Sequence, residues 1–337
     1  MKKTTFFVAA TCGLLSLSPA IAQNTVFTDN FGSSTLNGTS TPGGTPASSS
    51  TSYDIASSKA DTTYPTIGPG ALSLGLNAAT TSGFYEAQAV FSGSPITLQT
   101  INDYIDLTYT FTDTGGLLAG GTSSYLFSGL YDNAGAVPVA GLLNNSGLNT
   151  TAGSIYATGN AQLWSGYVGR LAASGGTTEI YTRPVQNGIG TTSANQDLIG
   201  NGFGGGTYTN LTGSLGTGSP NTSSSTAVLQ AGNQYTMDLH ITLTGANQLM
   251  VIQDLYSGAT IGGTWVGGVT NNFASVTDTS FGGLAIGART SGVSTNAQMT
   301  VNQITITDSL QPVPEPATMA LAGIGAGLAL LARFRRR

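Results

Sequence analysis

Upstream of Pro314 the chain holds one histidine, His240, two glutamates, Glu86 and Glu179, and one cysteine, Cys12. That is a thin inventory for catalysis. A single histidine excludes a His-based metal cluster, and any Ser-His-Asp triad would have to be built on His240. Glycoside hydrolysis needs two carboxylates a few ångströms apart. Glu86 and Glu179 stand alone on separate segments, and Asp106 and Asp238 lie on polar strand faces, where acids are normally solvated. Gly200-Asn201-Gly202-Phe203-Gly204-Gly205 matches G-x-G-x-x-G in letters but has no strand before it and no helix after it, so it reads as a loop. His240 reads as a solvated or cross-strand residue on the outward side of a regular strand.

Two binding chemistries remain. Exposed aromatic faces and amide groups suit sugar rings and hydroxyls, and Trp164, Tyr167, Trp265 and Asn272 are the residues that offer them. Calcium prefers carboxylate oxygen, and Asp29 and Asp308 would meet if the first and last strands adjoin. No other cofactor is expected.

The elements that must position these groups are strands. Ile105, Leu107, Tyr109 and Phe111 alternate with Asp106, Thr108 and Thr110 across Asp103–Asp113. Tyr235–Gly245 repeats the design, with Met237, Leu239, Ile241 and Leu243 on one side and Asp238, His240 and Thr242 on the other. A period of two puts one set on a core face. Further strands are expected at Val26–Phe31, Ala71–Leu76, Phe84–Phe91, Tyr125–Tyr131, Leu163–Leu171, Thr177–Arg183, Leu249–Tyr256, Phe281–Ala288 and Ala297–Thr307, divided by Gly, Asn, Ser and Pro clusters. The apolar parity shifts between Val301 and Ile304, as a bulge near Asn302-Gln303 requires. The Ser/Thr/Gly-rich stretches Gly38–Asp61 and Gly200–Ser225 read as surface loops.

More than ten short strands in one body suit a two-sheet antiparallel sandwich. The order of Phe27–Phe31, Asp103–Asp113, Tyr125–Tyr131, Tyr235–Gly245, Gln248–Tyr256 and Ala297–Asp308 resembles a concanavalin A-like jelly roll. The Glu-x-Asp-x-x-Glu strand of the glucanases that share such a fold is absent.

The two ends carry different information. Met1-Lys2-Lys3, the apolar Phe6–Leu17 and Ala20-Ile21-Ala22 form a signal peptide over residues 1–22, a helix removed by signal peptidase to leave Gln23 as the mature start. Cys12 leaves with it, so the mature body has no cysteine. Residues 312–337 contain Val313-Pro314-Glu315-Pro316, then Ala317–Ala332 without a charge, then Arg333, Arg335, Arg336 and Arg337. Pro314 and Pro316 hold Glu315 extended. The apolar run, as a helix, spans roughly 24 Å against a hydrocarbon core of roughly 30 Å, a serviceable but short anchor. The arginines stop translocation and keep the C-terminus in the cytoplasm.

This tripartite end resembles the PEP-CTERM sorting signal of Gram-negative bacteria. The resemblance implies that a membrane-embedded exosortase, similar to a cysteine transpeptidase, recognises Pro314-Glu315-Pro316 and severs the helix from the body. The precursor would be anchored in the inner membrane and the product placed at the cell surface or outside the cell.

The body, residues 23–311, holds 14 of the 15 acidic residues against Lys59, Arg170, Arg183 and Arg289, a formal charge of −10. Nucleic acid is thereby excluded as a partner. The expected function is that of an exported, non-enzymatic surface or extracellular-matrix protein that binds polysaccharide; the alternative is an exported polysaccharide hydrolase whose active site follows no recognised pattern.

Overall fold

The structure, a computed structural model, describes residues 23–36, 52–57, 66–68, 70–76, 82–114, 124–134, 141–142, 163–174, 178–183, 185, 198–199, 229–276, 278–291 and 297–309. The signal peptide, the span Ala317–Ala332 and the loop Gly200–Ser225 lie outside these residues. Among the described residues no helix is long and apolar enough to cross a membrane.

The described residues form eighteen strands: β1 Asn24–Asp29, β2 Thr35–Leu36, β3 Ser52–Ser57, β4 Thr66–Gly68, β5 Ala71–Leu76, β6 Ser82–Val90, β7 Ile96–Thr97, β8 Tyr104–Asp113, β9 Ser124–Asp132, β10 Gly141–Leu142, β11 Ser165–Ser174, β12 Glu179–Arg183, β13 Gln234–Gly245, β14 Gln248–Ser257, β15 Thr264–Phe273, β16 Ser280–Phe281, β17 Gly283–Ser291 and β18 Ala297–Asp308. The first sheet runs β15-β14-β13-β8-β18-β5-β4, with β1 also on β18; the second runs β10-β3-β6-β17-β9-β11-β12, with β2 on β3. Every pairing is antiparallel except those of β3 with β2 and β10.

Alternation makes the sandwich. Every second residue of β8 and β13 is buried, and these apolar rows meet Leu126, Leu130, Tyr167, Leu171, Leu284 and Ile286 of the second sheet in one core. Tyr109 donates its hydroxyl across to the Phe127 carbonyl at 3.2 Å, and the Gln253 amide reaches Ser128 Oγ at 3.0 Å. The β13–β14 hairpin closes through Ala246-Asn247, with Asn247 at φ 59°, a left-handed conformation that Asn tolerates better than most residues.

Asn302 is the extra residue in the β18–β8 ladder, where the register shifts between Val301 and Gln303. Three expectations change. β3 lies inside Gly38–Asp61, which the sequence presents as loop, and its Tyr53 is fully buried. β15 occupies Thr264–Phe273, where no strand is expected. β4 is a short edge strand missed for lack of length. In β15 the residues Gly267, Gly268, Asn271 and Asn272 have low strand propensity, and pairing with β14 overrides it.

The second sheet carries a further apolar layer on its outward side. Val90, Tyr125, Phe127, Tyr131, Val168 and Ala285 pack there under Trp164, Leu198 and Ile199. Glu86, buried beneath that cover, accepts the Leu198 and Ile199 amides at 3.1 and 3.0 Å. Tyr131 donates to the Leu198 carbonyl at 2.8 Å. A Cβ on Gly287 would collide with the Tyr85 carbonyl of the neighbouring strand and with Ile199 Cδ1 of the cover, so glycine stands there.

Candidate functional site

The outward side of the first sheet has no such layer among the described residues. With Leu249, Val251, Gln253 and Leu255 turned inward, β14 presents Met250, Ile252, Asp254 and Tyr256 outward. β13 presents Asp238, His240 and Thr242, and β8 presents Tyr104, Asp106, Thr108 and Thr110. The register sets these in rows. His240 lies opposite Asp106 on one side and Ile252 on the other. Asp238 lies opposite Asp254 and Thr108, and Tyr256 lies opposite Trp265.

The side chains connect along and between these rows. Trp265, at the edge strand and 44% exposed, donates its indole N–H to Asp254 Oδ1 at 2.9 Å. Tyr256 donates to Asp254 Oδ2 at 3.3 Å. Gly268, opposite Asp254, leaves room for this carboxylate, since a Cβ there would strike its Oδ1. His240 bonds through Nδ1 to Asp106 and through Nε2 to the Thr242 hydroxyl, with the Tyr104 ring 5.2 Å away. Thr307 donates to the other Asp106 oxygen at 3.4 Å.

Asp238 is different in kind. Its Oδ1 is closed to solvent and has no hydrogen-bond partner. Burial first, then the negative charge of Asp106, pushes its pKa up to about 7; Asp254 adds to the rise and His240 opposes it. Burial alone would lower the His240 pKa, but the hydrogen bond and charge of Asp106, with the charge of Asp238, carry it above the ordinary value. The Tyr256 hydroxyl is pushed up to about 12 by burial and then by Asp254 and Asp238, so it remains a donor. The arrangement offers an exposed indole face, carboxylate acceptors beside it, and hydroxyls along the same face. That is the chemistry of stacking and hydrogen bonding to a sugar chain.

The four residues expected to bind sugar part company. Trp164 is fully buried and Tyr167 is 1% exposed, so neither has a ring face to offer. Trp164 packs on Tyr131 with ring centroids 5.9 Å apart, and Tyr167 lies between Phe273 and Phe281 in the core. Trp265 and Asn272 are exposed, but their register partners Tyr256 and Met250 are six positions apart, about 20 Å along the strand.

The expected calcium pair does not form. β1 and β18 do adjoin, but Asp29 pairs with Ile304 and Asp308 with Asn24, which places the two acids about 13 Å apart along the ladder. Asp29 Oδ1 accepts the Phe31 amide at 2.7 Å, and its Oδ2 accepts Ser34 Oγ at 2.6 Å and the Tyr53 hydroxyl at 2.9 Å. Its oxygens are taken by the fold. Among the described residues no group of three His, Cys, Asp or Glu side chains is placed to hold a metal ion.

Glu179 pairs with Arg170, whose guanidinium sits over the Tyr125 and Tyr181 rings at 4.5 and 5.0 Å. Gln23 is exposed at the start of β1, whereas Ala20, Ala22, Val313, Pro314, Glu315, Pro316, Arg333, Arg335, Arg336 and Arg337 fall outside the described residues. Asp254 and Tyr256 are the site residues the sequence reading missed. Their signal was the polar parity of β14, which places them beside Asp238 only once the register is known.

Residues 312–337 match the PEP-CTERM protein-sorting motif, which implies an exported protein. No curated protein matches the chain. Among solved structures, the Emp47p carbohydrate recognition domain is similar at 11% identity over 75% of this chain and 87% of that one, with a TM-score of 0.37. Lectin II from Ulex europaeus is similar at 10% identity over 77% and 93%, with a TM-score of 0.33. The alginate lyase Aly36B, in complex with an alginate trisaccharide, is similar at 11% identity over 74% and 86%, with a TM-score of 0.34. Lectins and a lyase stand together here, and likeness at this level says nothing of ligand or activity.

Proposed function

We propose that this chain is an exported, non-enzymatic surface or extracellular-matrix protein, processed by an exosortase at Pro314-Glu315-Pro316, that holds polysaccharide on the outward face of its first sheet. The sorting motif at 312–337 supports the first half. One observation carries the second: Trp265 is 44% exposed and its N–H is already held by Asp254. A ring fixed before the ligand arrives loses little freedom on binding.

Binding is tested with mature protein purified from producing cells and the polysaccharide of their own matrix. Trp265→Ala is expected to weaken binding at least tenfold, about 1.4 kcal/mol. Unchanged affinity would remove Trp265 from the site and end the reading. Processing is tested by replacing Pro314-Glu315-Pro316 with three alanines. The variant should be exported but retained in the inner membrane with its arginine tail; surface delivery at the normal level would show that the elbow is not read.

A specific observation favours the hydrolase as second reading. Asp238 and Asp254 lie directly opposite each other, which puts their Cβ atoms about 4.5–5.5 Å apart. The Asp238 carboxyl, held near 7, has the pKa of a general acid. Against it, both Asp254 oxygens hold rings and Asp238 Oδ1 is closed to solvent. Glycan cleavage by the purified protein, lost in Asp238→Asn, would decide for the enzyme.

A further inference from the structure

The strands of the first sheet contain six acids, Asp29, Asp106, Asp113, Asp238, Asp254 and Asp308, and no lysine or arginine. Arg170, Arg183 and Arg289 all lie in strands of the second sheet. The second sheet also carries Asp54, Glu86, Asp132 and Glu179, so its arginines are largely balanced, whereas the acids of the first sheet have no lysine or arginine in their strands. Asp29, Asp113 and Asp308 are buried. Of the three acids that face outward, Asp106 is paired with His240. Asp238 and Asp254 face each other, and among the described residues neither has an ion-pair partner. Like charges directly opposite on a sheet are destabilising, and here the exposed ring of Trp265 lies beside them.

We infer that the polysaccharide held on this face is one bearing protonated amino groups, as in a deacetylated amino-sugar polymer. This rests on the polysaccharide reading above and names its class. An ammonium group over the Trp265 ring gains a cation–π contact and lies within reach of Asp254, while the sugar ring stacks on the indole. It also relieves the repulsion between Asp254 and Asp238. A body of formal charge −10 attracts such a chain at long range and repels one carrying carboxylates or sulfates.

The test measures binding of the mature protein to a glucosamine oligosaccharide and to its fully N-acetylated form, matched in length, with polylysine as a third probe. The amine form is expected to bind about tenfold tighter than the acetylated form, a margin within the range of a partly desolvated cation–π contact and a charge-assisted bond. Asp254→Asn should abolish that preference, so that the two forms bind the variant equally. Asp238→Asn, which leaves the Trp265–Asp254 hydrogen bond in place, should reduce the preference while Trp265 keeps its emission, which separates loss of charge from loss of shape.

Equal binding of the two forms would overturn the amine inference and leave the polysaccharide reading intact. Polylysine binding as tightly as the amine glycan, with no dependence on Trp265, would overturn it in favour of simple charge attraction. Failure of both oligosaccharides and of the matrix polysaccharide would end the polysaccharide reading itself.

Discussion

The two tryptophans stand on opposite outward faces of the sandwich and have opposite fates. Trp164 belongs to the outer apolar layer of the second sheet and is fully buried against Tyr131. Trp265 stands open at the edge of the first, 44% exposed and bonded to Asp254. The second sheet spends a buried carboxylate, Glu86, on holding Leu198 and Ile199 over itself; the first spends its carboxylates on an uncovered row. Among the described residues, one outward face of the sandwich is closed by an apolar layer and the other is not.

The sharpest way to break this comparison is to truncate both rings. Trp164→Ala should cost about 3–5 kcal/mol, the price of emptying a packed aromatic site, whereas Trp265→Ala should stay within about 1 kcal/mol. Chemical denaturation of the two variants decides it, and equal losses would mean that the faces do not differ. Glu86→Ala comes next. It strands two buried backbone donors and should cost about 2–3 kcal/mol, with faster hydrogen exchange at Leu198 and Ile199; slow exchange unchanged in the variant would show that Glu86 does not hold the cover.

The open face should declare itself by pH. Asp238 binds a proton in the folded state up to about 7, while the unfolded chain loses it near the ordinary carboxylate value. Between these values the folded state binds more protons, so stability falls as pH rises. The raised His240 pKa acts in the same direction, since its contribution is present below the ordinary histidine value and is lost as pH rises through the folded one. The body should therefore be more stable at pH 5 than at pH 8. Asp238→Asn should recover on the order of 1–3 kcal/mol at pH 8 and flatten the profile. A thermal midpoint that rises with pH over this range would refute the buried-acid account. Smallest is Gly268→Ala, which should cost about 1 kcal/mol by displacing Asp254 and should shift the Trp265 emission without changing that of Trp164.

Much of this fold was legible. The long alternating runs of β8 and β13 announce strands because one whole side is apolar, and the bulge at Asn302 shows in the broken parity of β18. β3 and β15 were hidden for the opposite reason. Ser52–Ser57 sits in a Ser/Thr-rich stretch, and Gly267-Gly268 with Asn271-Asn272 carries the chemistry of turns. Such segments become strands only when a neighbour supplies the ladder. Trp265 stood out in the sequence as a candidate sugar-binding group, but its partner Asp254 did not, since the two are eleven residues apart and meet only through the β14–β15 register.

By itself the sequence determined what local chemistry determines: the sorting signal at 312–337, the absence of cysteine from residues 23–311, the acidic balance, and the period-two strands that must share a core. A motif read by an enzyme or a membrane needs only its own residues in order. Tertiary structure alone decided which tryptophan is buried, that Asp29 and Asp308 lie far apart, and that Asp238 faces Asp254 while Asp106 faces His240. Alternation assigns each residue to a side of its strand, but strand register and the segments packed across a sheet decide which neighbour it meets and whether water reaches it.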